Sequence, residues 1–197
     1  NGIESLARVD VLCVDKPGTI PQPGMTVREL VPLDEEAYSI EAVEEALAAL
    51  YQALGADNDT GRAMAERFDK APDWKASSVV PFTSANKYSA AVFPGHGAFV
   101  SGAPEFVMGP WYQDLKEMVE PYSAKCYRVL LIAVYDGVPD GETPLDGKKV
   151  RPMALALLAN PIRSEAPETF AYFAAQGVAV KVISGDNPLT VAEVARK

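Results

Sequence analysis

The first strong pattern in the chain is Val9–Val14 (VDVLCV), a short and nearly continuous apolar run that leads into Asp15. Such a run reads as a strand buried on both faces of a parallel sheet, with an acidic residue at its carboxyl end. Lys16 to Gly24 holds three prolines and two glycines, so it reads as a loop. Over Asp34–Leu54 the residues Ile40, Val43, Leu47, Leu50 and Leu54 recur at helical spacing, and Gly55 follows where a C-cap belongs. A second helix is predicted from Asp59 or Thr60 to Phe68, presenting Met64 and Phe68. The period then changes: Tyr88–Phe93, Ala98–Val100, Val129–Val134 and Met153–Leu158 read as strands, with Trp111–Val119 as a helix between two of them. Glu165–Gln176 returns to helical spacing, with Phe170 and Phe173 on one side and Gly177 as its stop. Val178–Ile183 reads as another buried strand, and a helix is predicted from Pro188. Strand–loop–helix signals at both ends, around an antiparallel middle, predict an α/β domain carrying a large insertion.

Composition narrows the function. The chain of 197 residues is 48% hydrophobic and 23% charged, enough apolar material for a normal core. A formal net charge of −9 argues against a nucleic-acid partner, which needs clustered Lys and Arg, but not against a single nucleotide, which needs only a few local donors. Cys13 and Cys126 each lie in an apolar run and read as buried thiols in a reducing compartment. No stretch approaches the roughly 18 consecutive apolar residues that a membrane-spanning helix needs. With no initiating Met and no signal peptide, the sequence reads as a soluble piece of something longer. His96 sits in a Phe-Pro-Gly-His-Gly turn with no metal-ligand spacing around it, and reads as solvent-exposed.

The chemistry concentrates at the two apolar strands. An aspartate at the carboxyl edge of a parallel strand lies where α/β folds place their active sites. There, in Asp15-Lys16-Pro17-Gly18-Thr19, the carboxylate can attack phosphorus and split a hard hydrolysis into two easier steps through an aspartyl phosphate. The strand VKVIS ends in Ser184, whose hydroxyl can hold a phosphoryl oxygen. A strand ending in Asp is also a common structural or loop-capping feature. The two together, in this order, form the first half of a haloacid-dehalogenase-like phosphotransferase site.

VDVLCVDKPGTI resembles the phosphorylation motif of the P-type ATPases, an Asp followed by Lys-Thr-Gly-Thr-Leu-Thr, and VKVISGDNPLTVAEVA resembles that family's Thr-Gly-Asp segment. PFTSANKYSAAVF is similar to its adenosine-pocket strand, SGAPEFVM to its Lys-Gly-Ala-Pro-Glu loop, YRVLLIA to its arginine-bearing strand, and Asn160-Pro161-Ile162-Arg163 to its Asp-Pro-Pro-Arg hinge. The resemblance covers the whole chain. It implies a partial, haloacid-dehalogenase-like phosphorylation domain with a Rossmann-type parallel sheet, residues 1–24 and 159–197. Inserted in it, at 25–158, would be an α+β nucleotide-binding domain on an antiparallel sheet. It further implies ATP and Mg²⁺ as ligands. Asp15 would be the nucleophile, with Lys16, Thr19, Ser184 and the Gly185 amide on the phosphoryl oxygens and Asp186 orienting the nucleotide or the metal shell. Asp15 and the main-chain carbonyl of Pro17 would contact Mg²⁺. Phe82 would stack on adenine, the Gly102 loop would approach it, and Lys87, Arg128 and Arg163 would supply cations. The implied parent is a membrane cation pump with this part on its cytoplasmic face. Its partners would be the transported cation, acting through transmembrane helices, and an actuator domain.

Several positions depart from the family. Pro17 and Pro21 stand for threonines, which removes an N–H and a hydroxyl each and biases Lys16 towards extended backbone. Ser101 stands for the lysine of the Lys-Gly-Ala-Pro-Glu loop, Gly61 for a Glu near adenine, and Asn160 for the hinge Asp. A pocket poorer in charge predicts weak ATP affinity, which a dissociation constant in the low micromolar range would contradict. The family's later Gly-Asp-Gly-x-Asn-Asp segment does not occur in this sequence, so sustained turnover is not expected of it alone. Two other classes remain open at this point. One is a soluble haloacid-dehalogenase-like phosphatase with a cap insertion, and the other a non-catalytic nucleotide-binding or interaction module.

Overall fold

A computed structural model of the chain describes residues 11–15, 24–160, 171–172 and 175–183. The chain divides into two compact units, Asn1–Pro23 with Asn160–Lys197, and Gly24–Ala159. In the first unit, β1 (Val11–Asp15) and β8 (Ala179–Ile183) pair in parallel, with Asp15 opposite Ile183. A parallel pair cannot be closed by a tight hairpin, so the long excursion between the two strands is a topological requirement. Ala171, Tyr172 and Ala175 are helical, as expected. The rest of that predicted helix and the helix expected from Pro188 lie outside the described residues.

The second unit is a six-stranded antiparallel sheet in the order β2-β7-β6-β5-β4-β3. Its strands are β2 (Thr26–Pro32), β3 (Ser78–Val80), β4 (Tyr88–Phe93), β5 (Gly97–Gly102), β6 (Arg128–Tyr135) and β7 (Val150–Ala159). Helices α1 (Ile40–Leu54) and α2 (Asp59–Arg67) pack on one face. The short α3 (Pro104–Met108) and α4 (Gln113–Ala124) pack on the other. With helices on both sides, β7 has no wet face. Ala154 to Leu158 are all 0% exposed, and the strand reads Leu-Ala-Leu-Leu rather than alternating with polar residues.

Two helix bounds differ from the sequence reading. The first helix begins at Ile40, not Asp34, because Ser39 caps it by accepting from the Ala42 N–H, while Asp34 closes its own turn on Ala37. α4 runs past Val119 to Ala124 with Pro121 inside it. Cys126 corrects the buried-thiol expectation: it is only partly buried and stands in the turn after α4 with φ +69°. The burial of Cys13 lies outside what is described. His96 is exposed, as expected, and its ring stacks on Trp74 at 4.0 Å. Among the described residues no helix is long and apolar enough to cross a membrane.

Candidate functional site

A cavity of about 580 Å³ lies on the α1–α2 face of the antiparallel sheet. The sheet contributes Ser89 from β4, Ser101 and Gly102 from β5, and Arg128 and Leu130 from β6. Tyr51 and Leu54 come from the last turn of α1, Thr60 and Gly61 from the first turn of α2, and Phe82 and Lys87 from the loop before β4. Phe82 is 48% exposed at this cavity, which excludes the reading of it as a core aromatic.

Local backbone chemistry fixes the loop. Asn86 N–H donates to Thr83 Oγ1, Lys87 N–H donates to the Thr83 carbonyl, and the Asn86 side chain donates to the Gly141 carbonyl. Asp140 holds the far side of that contact by accepting from the Glu142 and Thr143 N–H groups. Those bonds, Thr143 first, keep its carboxyl below the usual carboxylate range. Lys87 is turned into the left-handed region, φ +58°, and its carbonyl accepts from Ala103 N–H at 2.9 Å. This brings Lys87 and Tyr88 hard against Gly102, where a Cβ would stand 2.6 Å from the Lys87 carbonyl oxygen and 2.5 Å from Tyr88 Cβ. Only glycine allows that approach.

Arg128 reaches across to α2, donating from Nη1 to Thr60 Oγ1 at 2.7 Å. Beneath it, Tyr51 Oη and Ser101 Oγ share a buried hydrogen bond of 2.7 Å. Burial pushes the Tyr51 phenol up to about 12, against a smaller lowering by Ser101. Because the folded state holds that proton more tightly than the unfolded chain, its contribution is complete below pH 10 and is lost as pH rises towards 12. Folding stability should therefore fall by roughly 2–3 kcal/mol across that window, and Tyr51→Phe should remove most of this slope. Urea unfolding at pH 9 and pH 11.5 checks it; equal pH slopes in the two proteins would refute it.

The sequence-predicted residues are distributed as follows. Phe82, Lys87, Gly102 and Arg128 line the one cavity, together with two of the departures, Ser101 and Gly61. Asp15 is the last residue of β1. Lys16, Pro17, Thr19, Arg163, Ser184, Gly185 and Asp186 lie outside the described residues. The sequence reading missed Tyr51 and Thr60, which occupy ordinary helix positions with no motif around them, and Ser89, which lies inside the family-like segment PFTSANKYSAAVF but was not singled out there. A second cleft of about 700 Å³ lies between the start of α1 and the end of α2. Glu41, Glu44, Glu45 and Asp69 line it against Arg67 and Lys70, with Arg67 paired to Glu44 at 3.1 Å, so its net negative charge disfavours a polyphosphate; the first cavity balances Asp57 and Asp59 with Lys87 and Arg128. Among the described residues, no group of three or more His, Cys, Asp or Glu could hold a metal ion.

No protein-family model matches the chain. Individual relatives do. The calcium-transporting ATPase CtpE of Mycobacterium bovis is 42% identical over 194 residues, 98% of this chain. The probable cation-transporting ATPase exp7 of Streptococcus pneumoniae is 38% identical over 196 residues, 99% of this chain. The chain is homologous to one part of the P-type cation-transporting ATPases. It spans 24% of the length of those curated relatives. Its fold is that of the corresponding part of a zinc-transporting PIB-type ATPase crystallised in the E2.Pi state, with a TM-score of 0.72 and 19% identity. That likeness covers 98% of this chain and 28% of the crystallised one. In this chain the cavity belongs to the antiparallel unit, Gly24–Ala159, and Asp15 to the parallel pair.

Proposed function

We propose that the chain is the ATP-binding and phosphate-accepting part of a cation pump, in which ATP enters the cavity of the antiparallel unit and Asp15 takes its γ-phosphoryl group. The supporting observation is convergence. Phe82 and Lys87 of one loop, Gly102 of β5 and Arg128 of β6 come from three separate stretches of the sequence and line a single cavity large enough for a nucleotide. Phe82 offers an exposed ring face for the base, Gly102 permits the close β4–β5 approach that holds Lys87 at the cavity, and Lys87 and Arg128 offer cations to the phosphates. Asp15 and the Pro17 carbonyl would hold Mg²⁺, which would offset the charge on the transferred group. Lys16, Thr19, Ser184 and Gly185 would hold the phosphoryl oxygens, with Asp186 and Arg163 ordering the nucleotide. Segment 1–24 with 159–197 would serve as the phosphorylation domain and 25–158 as the nucleotide-binding domain. In the parent protein both would work at the cytoplasmic face of a membrane, with an actuator domain and a cation path through transmembrane helices.

Calorimetric titration with ATP tests the reading. Base stacking contributes about 1–3 kcal/mol, so Phe82→Ala should weaken ATP binding by roughly fivefold to a hundredfold. Lys87→Ala should weaken it by about tenfold through the loss of a charge-assisted contact. Unchanged affinity in both variants would remove the reading, and absence of ATP binding by the folded wild type would favour a non-catalytic module.

A further inference from the structure

The face of β4 and β5 that packs under α1 is apolar along most of its length, with Ala91, Phe93 and Phe99 in the core. Where the cavity begins, the same face turns hydroxylic. Ser89 and Ser101 continue it, opposite one another in register, and they are 8% and 3% exposed. Tyr51, from α1, brings a third hydroxyl, and all three residues line the cavity.

Their hydrogens do not balance. The Tyr51–Ser101 contact uses one O–H as donor, whichever way it runs, and leaves the other hydrogen unassigned. Ser89 Oγ makes no hydrogen bond to any described residue and is not sealed from the cavity, which leaves a second hydrogen facing it. Among the described residues the buried side-chain oxygen without a partner is Tyr88 Oη and none of these three, so the hydroxyls that line the cavity stay open to water, whose place a ligand acceptor can take. A tyrosine phenol is protonated throughout the neutral range, and burial of Tyr51 only widens that margin, so both hydrogens are present at working pH. The cavity floor thus holds two spare donors at a fixed spacing, in a site whose mouth carries the exposed Phe82 ring.

We propose that Tyr51, Ser101 and Ser89 are the specificity floor of the nucleotide cavity, donating hydroxyl hydrogens to ring nitrogens along the edge of the base that stacks on Phe82. The proposal rests on the ATP reading given above. It names as determinants three residues that carry no charge. It also gives Ser101 a function of its own: with a short side chain held by Tyr51, the floor stays low and the base edge can descend to it. Selectivity at this floor depends on the acceptor pattern of the heterocycle; the carboxylates that line the cavity, Asp57 and Asp59, lie in the segment between α1 and α2 and at the start of α2.

Calorimetric titration of the 197-residue chain with ATP and with its 1-deaza, 3-deaza and 7-deaza analogues tests this, since each analogue replaces one ring nitrogen by C–H. At least one analogue should bind the wild type about fivefold to tenfold more weakly than ATP, the loss of one net hydrogen bond. The double variant Tyr51→Phe/Ser101→Ala, which replaces both partners by apolar groups of similar shape, should bind that analogue and ATP equally. Ser89→Ala, which breaks no existing hydrogen bond, should level the ratio for a different analogue or the same one. If all analogues bind the wild type as ATP does, or if the ratios survive in every variant, the floor does not read the base and the proposal falls while ATP binding stands. If the folded wild type binds no ATP, the functional reading falls and takes this proposal with it.

Discussion

A full-length pump carrying Asp15→Asn should form no acid-stable phosphoenzyme from ATP, at least a thousandfold less than wild type, while its ATP affinity is unchanged. The size of the effect follows from the chemistry. A carboxylate oxygen attacks phosphorus and leaves an acyl phosphate that water can later cleave, whereas a neutral amide oxygen is a poor nucleophile and forms no such species. Losing a covalent nucleophile outright removes a whole reaction path instead of slowing one step. The position supports the choice of residue. Asp15 ends β1 opposite Ile183 of the parallel partner strand, and Ser184, Gly185 and Asp186 follow directly in sequence. Binding should survive, because the cavity that would hold the nucleotide is built entirely from residues of the other unit. Incubation with ATP labelled at the γ-phosphate, acid quenching and gel autoradiography read the outcome. Label retained on Asp15→Asn at wild-type level would assign the acceptor elsewhere.

Gly102→Ala should cost about 3 kcal/mol or more of folding stability and abolish nucleotide binding in whatever fraction remains folded. The added Cβ would stand 2.5–2.6 Å from Tyr88 Cβ, Tyr88 Cα and the Lys87 carbonyl oxygen. Two of those three atoms are backbone, at the last pair of the β4–β5 ladder, so no rotamer change relieves the contact. Relief requires β4 and β5 to separate at the Tyr88–Gly102 pair. That movement would stretch the Ala103 N–H to Lys87 carbonyl bond and carry Lys87 out of the cavity. The strain already present at Lys87, φ +58°, leaves little room for it to move the other way. Gly55 is the useful contrast. It also lines the cavity, but its Cβ position is open space, so a substitution there meets only the backbone penalty of a glycine-only conformation, φ +75° and ψ −179°, about 1–3 kcal/mol. Thermal melts of the two variants separate these cases. Equal shifts would mean that the β4–β5 approach is softer than its geometry indicates.

How much of this was readable in advance depended on whether a residue carried its own signal. β4, β6 and β7 could be read because each is an apolar stretch between turn residues, and Gly55 was legible as the stop of α1. The edge strands were not. β2 mixes Arg28 and Glu29 into its run, ends on Pro32 and bulges between Val27 and Glu29, while β3 has only three residues. Both are defined by the neighbour they pair with and not by their own pattern. The same division runs through the cavity. Phe82, Lys87, Gly102 and Arg128 were singled out because they sit in family-like segments. Tyr51 and Thr60 were not, since on a helix they read as a core aromatic and a first-turn polar residue. What brings them to the cavity is the packing of α1 and α2 on the sheet, which no local window contains. Ser101 was read only as a missing cation; its bond to Tyr51 is a long-range contact between helix and strand.

The most direct measurement is a ¹⁵N–¹H correlation spectrum of the chain titrated with ATP. Saturable shifts are predicted to centre on Phe82, Lys87, Ser101, Gly102 and Arg128, with Tyr51 and Thr60 following and the Glu41–Glu45 and Asp69 cleft unmoved. Shifts confined to that acidic cleft, or no saturable shift at millimolar ATP in a well-dispersed spectrum, would contradict the assignment of the cavity as the nucleotide site.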